Sequence, residues 1–408
     1  MARVLSGLVV VLAVLMTQLA AVAIPRAGAL PTPDQDPFYT APGDLAAYSN
    51  GSIIDYRPIR PLGLPLPVDG WQVKFRTTDA ADRPAPGVAT VLVPKQAWTG
   101  QGSRPLVSFQ IAEDSLGSRC APSYALAGGW GFGGVNTFID VPFIAALLRR
   151  GWGVVTADYE GPDSRFLDGP NSGHGVLDGV RAALALAPGG VGAASPLGAW
   201  GYSGGAFATL WAAQLRGQYA PELRFAGVAA GGVPADWPAT ARSVDGTPQA
   251  GLAVVTLIAT ARNDPGNGVL ELLNERGRAV LARESASCAG DLVLGHVNEH
   301  ADDLALAPGL FSHPVFRAAT ASQELGAVAP DMPMYLYHSR TDDVIPVAGY
   351  TELVRRYCAQ GASAAYRYSD LPGHNPTAVG EAFGAVAYLA DRLAGEPVGP
   401  GCQGEPLG

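Results

Sequence analysis

From residue 106 onward, strand-like apolar runs alternate with segments of helical periodicity, and that alternation restricts the chain to few architectures. Runs at 106–110, 153–157, 197–200, 226–230, 334–338 and 365–368 have the length and composition of strands, while 143–150, 176–186, 205–214, 350–360 and 377–393 carry apolar residues at helical spacing. A repeated strand–helix–strand order predicts an α/β fold, with a mostly parallel central sheet and helices on both faces. Two further runs, 72–77 and 89–93, precede this region. Between about 234 and 325 the alternation stops. Apolar residues there, among them Leu270, Leu273, Gly277 and Val280, keep helical spacing with no strand between them, which reads as a helical insertion capping the sheet. The Pro- and Gly-rich ends, 30–42 and 397–408, read as surface arms.

The 408 residues are 48% hydrophobic and 15% charged, ample for a large core and unlike a disordered chain. A net charge of −9, with Lys74 and Lys95 the only lysines, excludes nucleic acid as a partner, because that affinity comes from clustered cations. No obligate protein partner is implied. Residues 1–29 read as a secretory signal peptide: Arg3 is the positive start, 8–16 the apolar stretch, and either Ala21-Val-Ala23 or Ala27-Gly-Ala29 the cleavage site. Thr17 and Gln18 interrupt the run before it reaches the roughly 20 residues of a membrane span. The expected product is therefore secreted. Cys120, Cys288, Cys358 and Cys402 are an even set in an exported chain, which predicts two disulfides with three possible pairings.

The chemistry concentrates at Gly201-Tyr-Ser-Gly-Gly205, which fits the Gly-x-Ser-x-Gly nucleophile elbow and lies between a strand ending at Trp200 and a helix. The turn is so tight that side chains flanking the serine would collide, hence the glycines; Ser203 projects from it. The helix aims its first N–H groups, beginning with Gly204, at the place where an oxyanion would form. A serine hydroxyl needs a base and an orienting carboxylate, expected in the chain order Ser, Asp or Glu, His. His374, in Leu371-Pro-Gly-His374, follows a strand and reads as lying on a loop at the carboxyl end of the sheet, where such folds place their chemistry. Asp342 and Asp343 follow the strand-like run 334–338, and spacing does not choose between them.

These segments resemble secreted lipases of the Candida antarctica lipase A type. The resemblance runs through Ser108-Phe-Gln-Ile-Ala-Glu-Asp114, Cys120-Ala-Pro-Ser-Tyr124, Asp158-Tyr-Glu-Gly-Pro162, Gly201-Tyr-Ser-Gly-Gly205 and Thr341-Asp-Asp-Val-Ile-Pro346. It implies an α/β-hydrolase fold with Ser203 as nucleophile, His374 as base and Asp342 as orienting acid, and Asp114 joining the Gly204 N–H in the oxyanion hole. An aspartate can donate there only if protonated, as a poorly solvated carboxyl can be. The resemblance further implies that Cys120 pairs with Cys288 and Cys358 with Cys402, and that the insertion is a cap whose apolar underside lines an acyl pocket.

The expectation is hydrolysis of triacylglycerols or other acyl esters through an acyl-serine intermediate, without cofactor or metal, on a lipid or small-ester substrate and in transient contact with a lipid–water interface. Two alternatives remain: an acyltransferase on the same triad, and a non-catalytic lipid-binding protein of the same fold. His296-Val-Asn-Glu-His300 fits an inverted zinc-peptidase pattern, with both imidazoles one helical turn apart; lacking a third ligand, the pair reads as cap surface. Gly129-Trp-Gly-Phe-Gly-Gly134 has the letters of a dinucleotide motif, but no strand leads into it.

Overall fold

Ten strands form one sheet in the computed structural model, which describes residues 30–129, 131 and 134–407. The expected signal peptide and positions 130, 132 and 133 of the glycine-rich stretch lie outside the described residues. In chain order the elements are β1 (Ile53–Ile59), β2 (Val68–Thr78), β3 (Pro84–Pro94), β4 (Leu106–Gln110), α1 (Pro122–Leu126), α2 (Val135–Arg149), β5 (Gly153–Ala157), α3 (Gly169–Leu186), β6 (Leu197–Tyr202), α4 (Gly204–Tyr219) and β7 (Phe225–Gly231). Five helices follow: α5 (Trp237–Val244), α6 (Ala250–Asn263), α7 (Glu275–Arg283), α8 (Ala289–Gly295) and α9 (Pro314–Ala321). The chain then returns to the sheet through β8 (Met334–Ser339), α10 (Val347–Ala359), β9 (Ala364–Ser369), α11 (His374–Leu393) and β10 (Cys402–Gln403).

The strand order is β1-β2-β3-β5-β4-β6-β7-β8-β9-β10. β1, β2, β3 and β5 pair antiparallel, and every pairing from β5 across to β10 is parallel. Parallel strands are buried on both faces, and side-chain alternation explains how: Leu106, Ala199, Val228 and Leu336 enter one apolar cluster, whereas Val107, Trp200, Ala229 and Tyr337 enter the other. α3, α4 and the cap helices cover the first face; α2 and α11 cover the second. The whole of 204–214 in α4 is buried, which its Ala- and Gly-rich sequence permits.

Between β7 and β8 the regular elements of the described chain are all helical apart from one isolated bridge, Leu273 to Ala305, with loops between them. Leu273, Gly277 and Val280 turn inward together. The disulfides join Cys120 to Cys288 and Cys358 to Cys402. The first ties the segment after β4 to the N-terminal end of α8; the second holds β10 beside β9.

Both expected arms run along the surface and are tied to the body of the protein. At the N-terminal side Phe38 is buried and Asp36 caps a short 3-10 turn and pairs with Arg57 at 2.6 Å; at the C-terminal side Cys402 and Gln403 extend the sheet. The two resemblance-bearing segments at 120–124 and 158–162 meet directly: Asp158 accepts hydrogen bonds from the Ser123 N–H at 2.8 Å and its hydroxyl at 2.5 Å.

Candidate active site

Ser203 stands alone between β6 and α4, with φ 57° and ψ −127°, a conformation costly for any residue with a Cβ. The surroundings enforce it. The Ser203 N–H donates to the Gly231 carbonyl at 2.9 Å, a Cβ at Gly201 would lie 2.2 Å from the Gly205 carbonyl oxygen, and one at Gly204 would lie 1.9 Å from Asp114 Oδ1. As the first residue of α4, Gly204 has an N–H with no intrahelical acceptor. Among the described residues the Ser203 hydroxyl makes no hydrogen bond; it opens on a cavity that His374 and Asp114 also line.

His374 is the first residue of α11 rather than a loop residue; Gly373, at φ 79°, turns the chain into the helix immediately before it. Its Nδ1 lies 2.8 Å from Asp342 Oδ2, and its backbone N–H donates to Asp343 Oδ1 at 2.8 Å. The two adjacent carboxylates thus divide the work: Asp342 addresses the ring and Asp343 the main chain. Asp342 Oδ1 also accepts from the Val344 and Ile345 N–H groups at 2.9 and 2.8 Å. Burial alone would raise the Asp342 pKa, but the His374 hydrogen bond and charge, with the backbone donors, outweigh it and hold the carboxyl below the usual range. Tyr202 donates to the His374 carbonyl at 2.7 Å and packs on its ring.

His338 escapes a reading by chain order but stands behind the pair. It is fully buried, its Nε2 lies 2.9 Å from the Ile345 carbonyl and 3.5 Å from Asp342 Oδ2, and desolvation lowers its pKa to about 4. A neutral ring there keeps the turn 342–345 in place without competing for the Asp342 charge.

The segment 112–114 is held from α2. Asn136 Nδ2 donates to the Ala112 and Glu113 carbonyls at 2.9 and 3.3 Å, and buried Asp140 accepts from the Ala112 N–H at 3.1 Å. Asp114 itself has φ 48°, and its Oδ1 is buried without a hydrogen-bond partner. Desolvation pushes its pKa up to about 6, with His374 pulling the other way. Burial likewise raises Asp140 to about 7, opposed by the Ala112 N–H and assisted by the Asp114 charge. Glu113 and Glu160, also buried, are raised by desolvation and by neighbouring carboxylates.

A raised acid has a defined pH signature. Between the ordinary aspartate value of 3.8 and about 7 the unfolded chain releases the Asp140 proton while the folded chain keeps it, so stability falls as pH rises through that window and then levels. Asp140→Asn keeps an acceptor for the Ala112 N–H but removes the charge. Its stability advantage over the parent in urea unfolding is expected to grow from pH 4 to pH 7 and stay constant above; a pH-independent difference would contradict this.

Two spaces meet at Ser203. A small alcove of about 30 Å³ runs beneath α5 and α6, walled by Phe166, Trp237, Leu252 and Val255. The outer cavity, about 570 Å³, lies between α2, α8 and α11. Ile139, Leu294 and Val379 line it while remaining largely exposed, and Phe383, one turn beyond Val379, is 81% exposed. The mouth is therefore ringed by apolar side chains from three helices.

The pair His296 and His300 forms no helical face. α8 ends at Gly295, Asn298 takes φ 59°, and the imidazoles diverge. His296 is buried rather than on the cap surface, with Nδ1 bonded to Glu299; exposed His300 faces Asp245 at 3.7 Å. Among the described residues no group of three or more His, Cys, Asp or Glu is placed to hold a metal ion.

A family profile described as "Secretory lipase" matches residues 129–401. A Mycobacterium tuberculosis protein named "Probable inactive lipase MT1628" is 33% identical, over 90% of this chain and 83% of its own length. The "Secreted triacylglycerol lipase LIP7" of Malassezia globosa is also 33% identical, over 90% of this chain and 81% of its own. Among solved structures, Candida antarctica lipase A in its closed state superposes with a TM-score of 0.83 at 26% identity, covering 92% of this chain and 89% of that one. That similarity carries the α/β-hydrolase fold.

Proposed function

This chain belongs to the secretory lipase family, and we propose that it is an active serine ester hydrolase that acts on acylglycerols or related acyl esters. One observation carries the reading: a half-buried, strained serine shares a cavity with a histidine whose far nitrogen is held at 2.8 Å by a buried carboxylate. Ser203 Oγ attacks the ester carbonyl while His374 Nε2 takes its proton. Asp342 fixes the ring with Nε2 toward the cavity and stabilises the imidazolium. The tetrahedral oxyanion is met by the Gly204 N–H and by the protonated Asp114 carboxyl. Collapse expels the alcohol, protonated by His374, and leaves the acyl-serine. Water then attacks with His374 again as base, releasing the fatty acid and restoring Ser203.

Residues 234–325 act as the cap, and the alcove under α5 and α6 takes the acyl chain. Its small volume favours short acyl groups unless those helices move. Hydrolysis rates for p-nitrophenyl esters from two to sixteen carbons, with emulsified tributyrin and triolein, test this. A rate maximum at short chains is expected; equal rates across the series would reject the alcove as the acyl site.

The apolar ring at the mouth fits a lipid surface. Phe383→Asp is expected to lower turnover of emulsified tributyrin by about tenfold, since burying a charge instead of a phenyl side chain costs more than 1.4 kcal/mol, and to leave soluble p-nitrophenyl butyrate unchanged. Equal loss on both substrates would count against interfacial contact.

Residues 1–29 serve as the export signal, which N-terminal sequencing of the mature protein tests. The inactive-named relative favours a second reading, a lipid-binding protein that has lost turnover. Complete absence of ester hydrolysis, with lipid still bound, would favour it.

A further inference from the structure

A second apolar groove, about 700 Å³, lies on the opposite side of α2 from the reactive cavity. α2 is apolar almost all round. Val135, Ile139 and Phe143 line the cavity at Ser203, whereas Val141, Ala145 and Leu148 line the groove, two sets about half a helical turn apart. The size falls within the range of small-molecule sites.

The polar groups sit where α2 ends. Arg149 and Arg150 line the groove, both exposed, and neither has a carboxylate partner among the described residues. Trp98 lines it too, with its Nε1–H buried and unbonded. Behind the wall, buried Arg104 donates to the Gly151 and Gln96 carbonyls at 2.7 and 2.6 Å, pinning two lining residues, and it too lacks an acidic partner among the described residues. Among the described residues no Asp or Glu lines the groove. In a chain of net charge −9, three guanidiniums without acids around one apolar groove are a local reversal of sign.

We propose that this groove binds a free long-chain fatty acid, with its carboxylate at Arg149 and Arg150 and its chain along Val141, Ala145 and Leu148. The lining offers an apolar length and one cationic end, and among the described residues Gln96 and Thr99 are its only uncharged polar side chains besides Trp98, too few to read a peptide or a sugar. A single-chain carboxylate satisfies both parts. The site would hold the same class of molecule that ester hydrolysis releases, on the helix whose Asn136 and Asp140 position residues 112–114. Its chemistry stands without that reaction.

The test uses the full-length chain carrying Ser203→Ala, titrated with oleate below its micellar concentration and separately with oleyl alcohol. Binding is read as Trp98 fluorescence, taken as the difference from a matched protein carrying Trp98→Phe. Oleate is expected to give a saturable change, weakened about tenfold or more by Arg149→Ala with Arg150→Ala, since hydrogen bonds to charged groups contribute about 1.5–3 kcal/mol. Oleyl alcohol binding should be insensitive to that pair, and Ala145→Trp should abolish the oleate signal by filling the groove. The arginine pair is on the surface, so its result stands even if the filled variant folds poorly. Absence of a saturable Trp98-dependent signal, or oleate affinity unchanged by removing both arginines, overturns the proposal. Because the signal is local and the serine is absent, either outcome leaves the reading of Ser203 untouched.

Discussion

Ser203→Ala is expected to lower kcat for p-nitrophenyl butyrate by about 10⁶-fold, the scale on which members of a Ser–His–Asp unit fail together. The variant should fold as the parent does. The Ser203 hydroxyl makes no hydrogen bond among the described residues, and alanine tolerates φ 57° no worse than serine, so neither packing nor a polar partner is lost. Matching melting curves and both disulfides intact would separate lost chemistry from lost structure. Residual activity near the parent level would place the nucleophile elsewhere.

The second large effect concerns Asp114. Asp114→Ala is expected to lower kcat by roughly 10²–10³-fold with KM little changed, because an oxyanion donor acts on charge that develops only in the transition state. The pH profile distinguishes a donor from a structural residue. Asp114 titrates at about 6, and only its protonated form donates, so its contribution to kcat/KM in the free enzyme should decline as pH rises through about 6. Asp114→Asn supplies an N–H at every pH. It should recover part of the rate and remove that descending limb; an unchanged limb would assign it to another group.

The parts of this site legible in the sequence are those whose chemistry demands a local pattern. The elbow could be read because a serine at φ 57° needs small residues around it, as the close approaches at Gly201 and Gly204 show. His374 could be read because it follows a strand late in the chain, although Gly373 makes it a helix start. The division of labour between Asp342 and Asp343 could not, since it depends on which way two successive side chains leave one turn. Family resemblance named Asp342, and the geometry gives it the ring nitrogen.

Asn136 and Asp140 were hidden for a different reason. Apolar spacing predicts a helix only over 143–150, but the helix begins at Val135 and runs through Pro142, which lies on an outer face. The two residues that hold 112–114 therefore fall outside the predicted helix. β1 was missed because Asp55, Arg57 and Pro58 break any alternation on an edge strand, and β10 because two residues carry no period. The buried His338 and His296 show the same limit: a lone histidine reveals neither its depth nor its partner.

The most direct test of the central claim is covalent. Incubation of the purified protein with a fluorophosphonate, followed by proteolysis and mass spectrometry, should show one adduct, on the peptide containing Ser203, absent from His374→Ala as well as from Ser203→Ala. No adduct on the parent protein, or an adduct on another serine, would contradict the account.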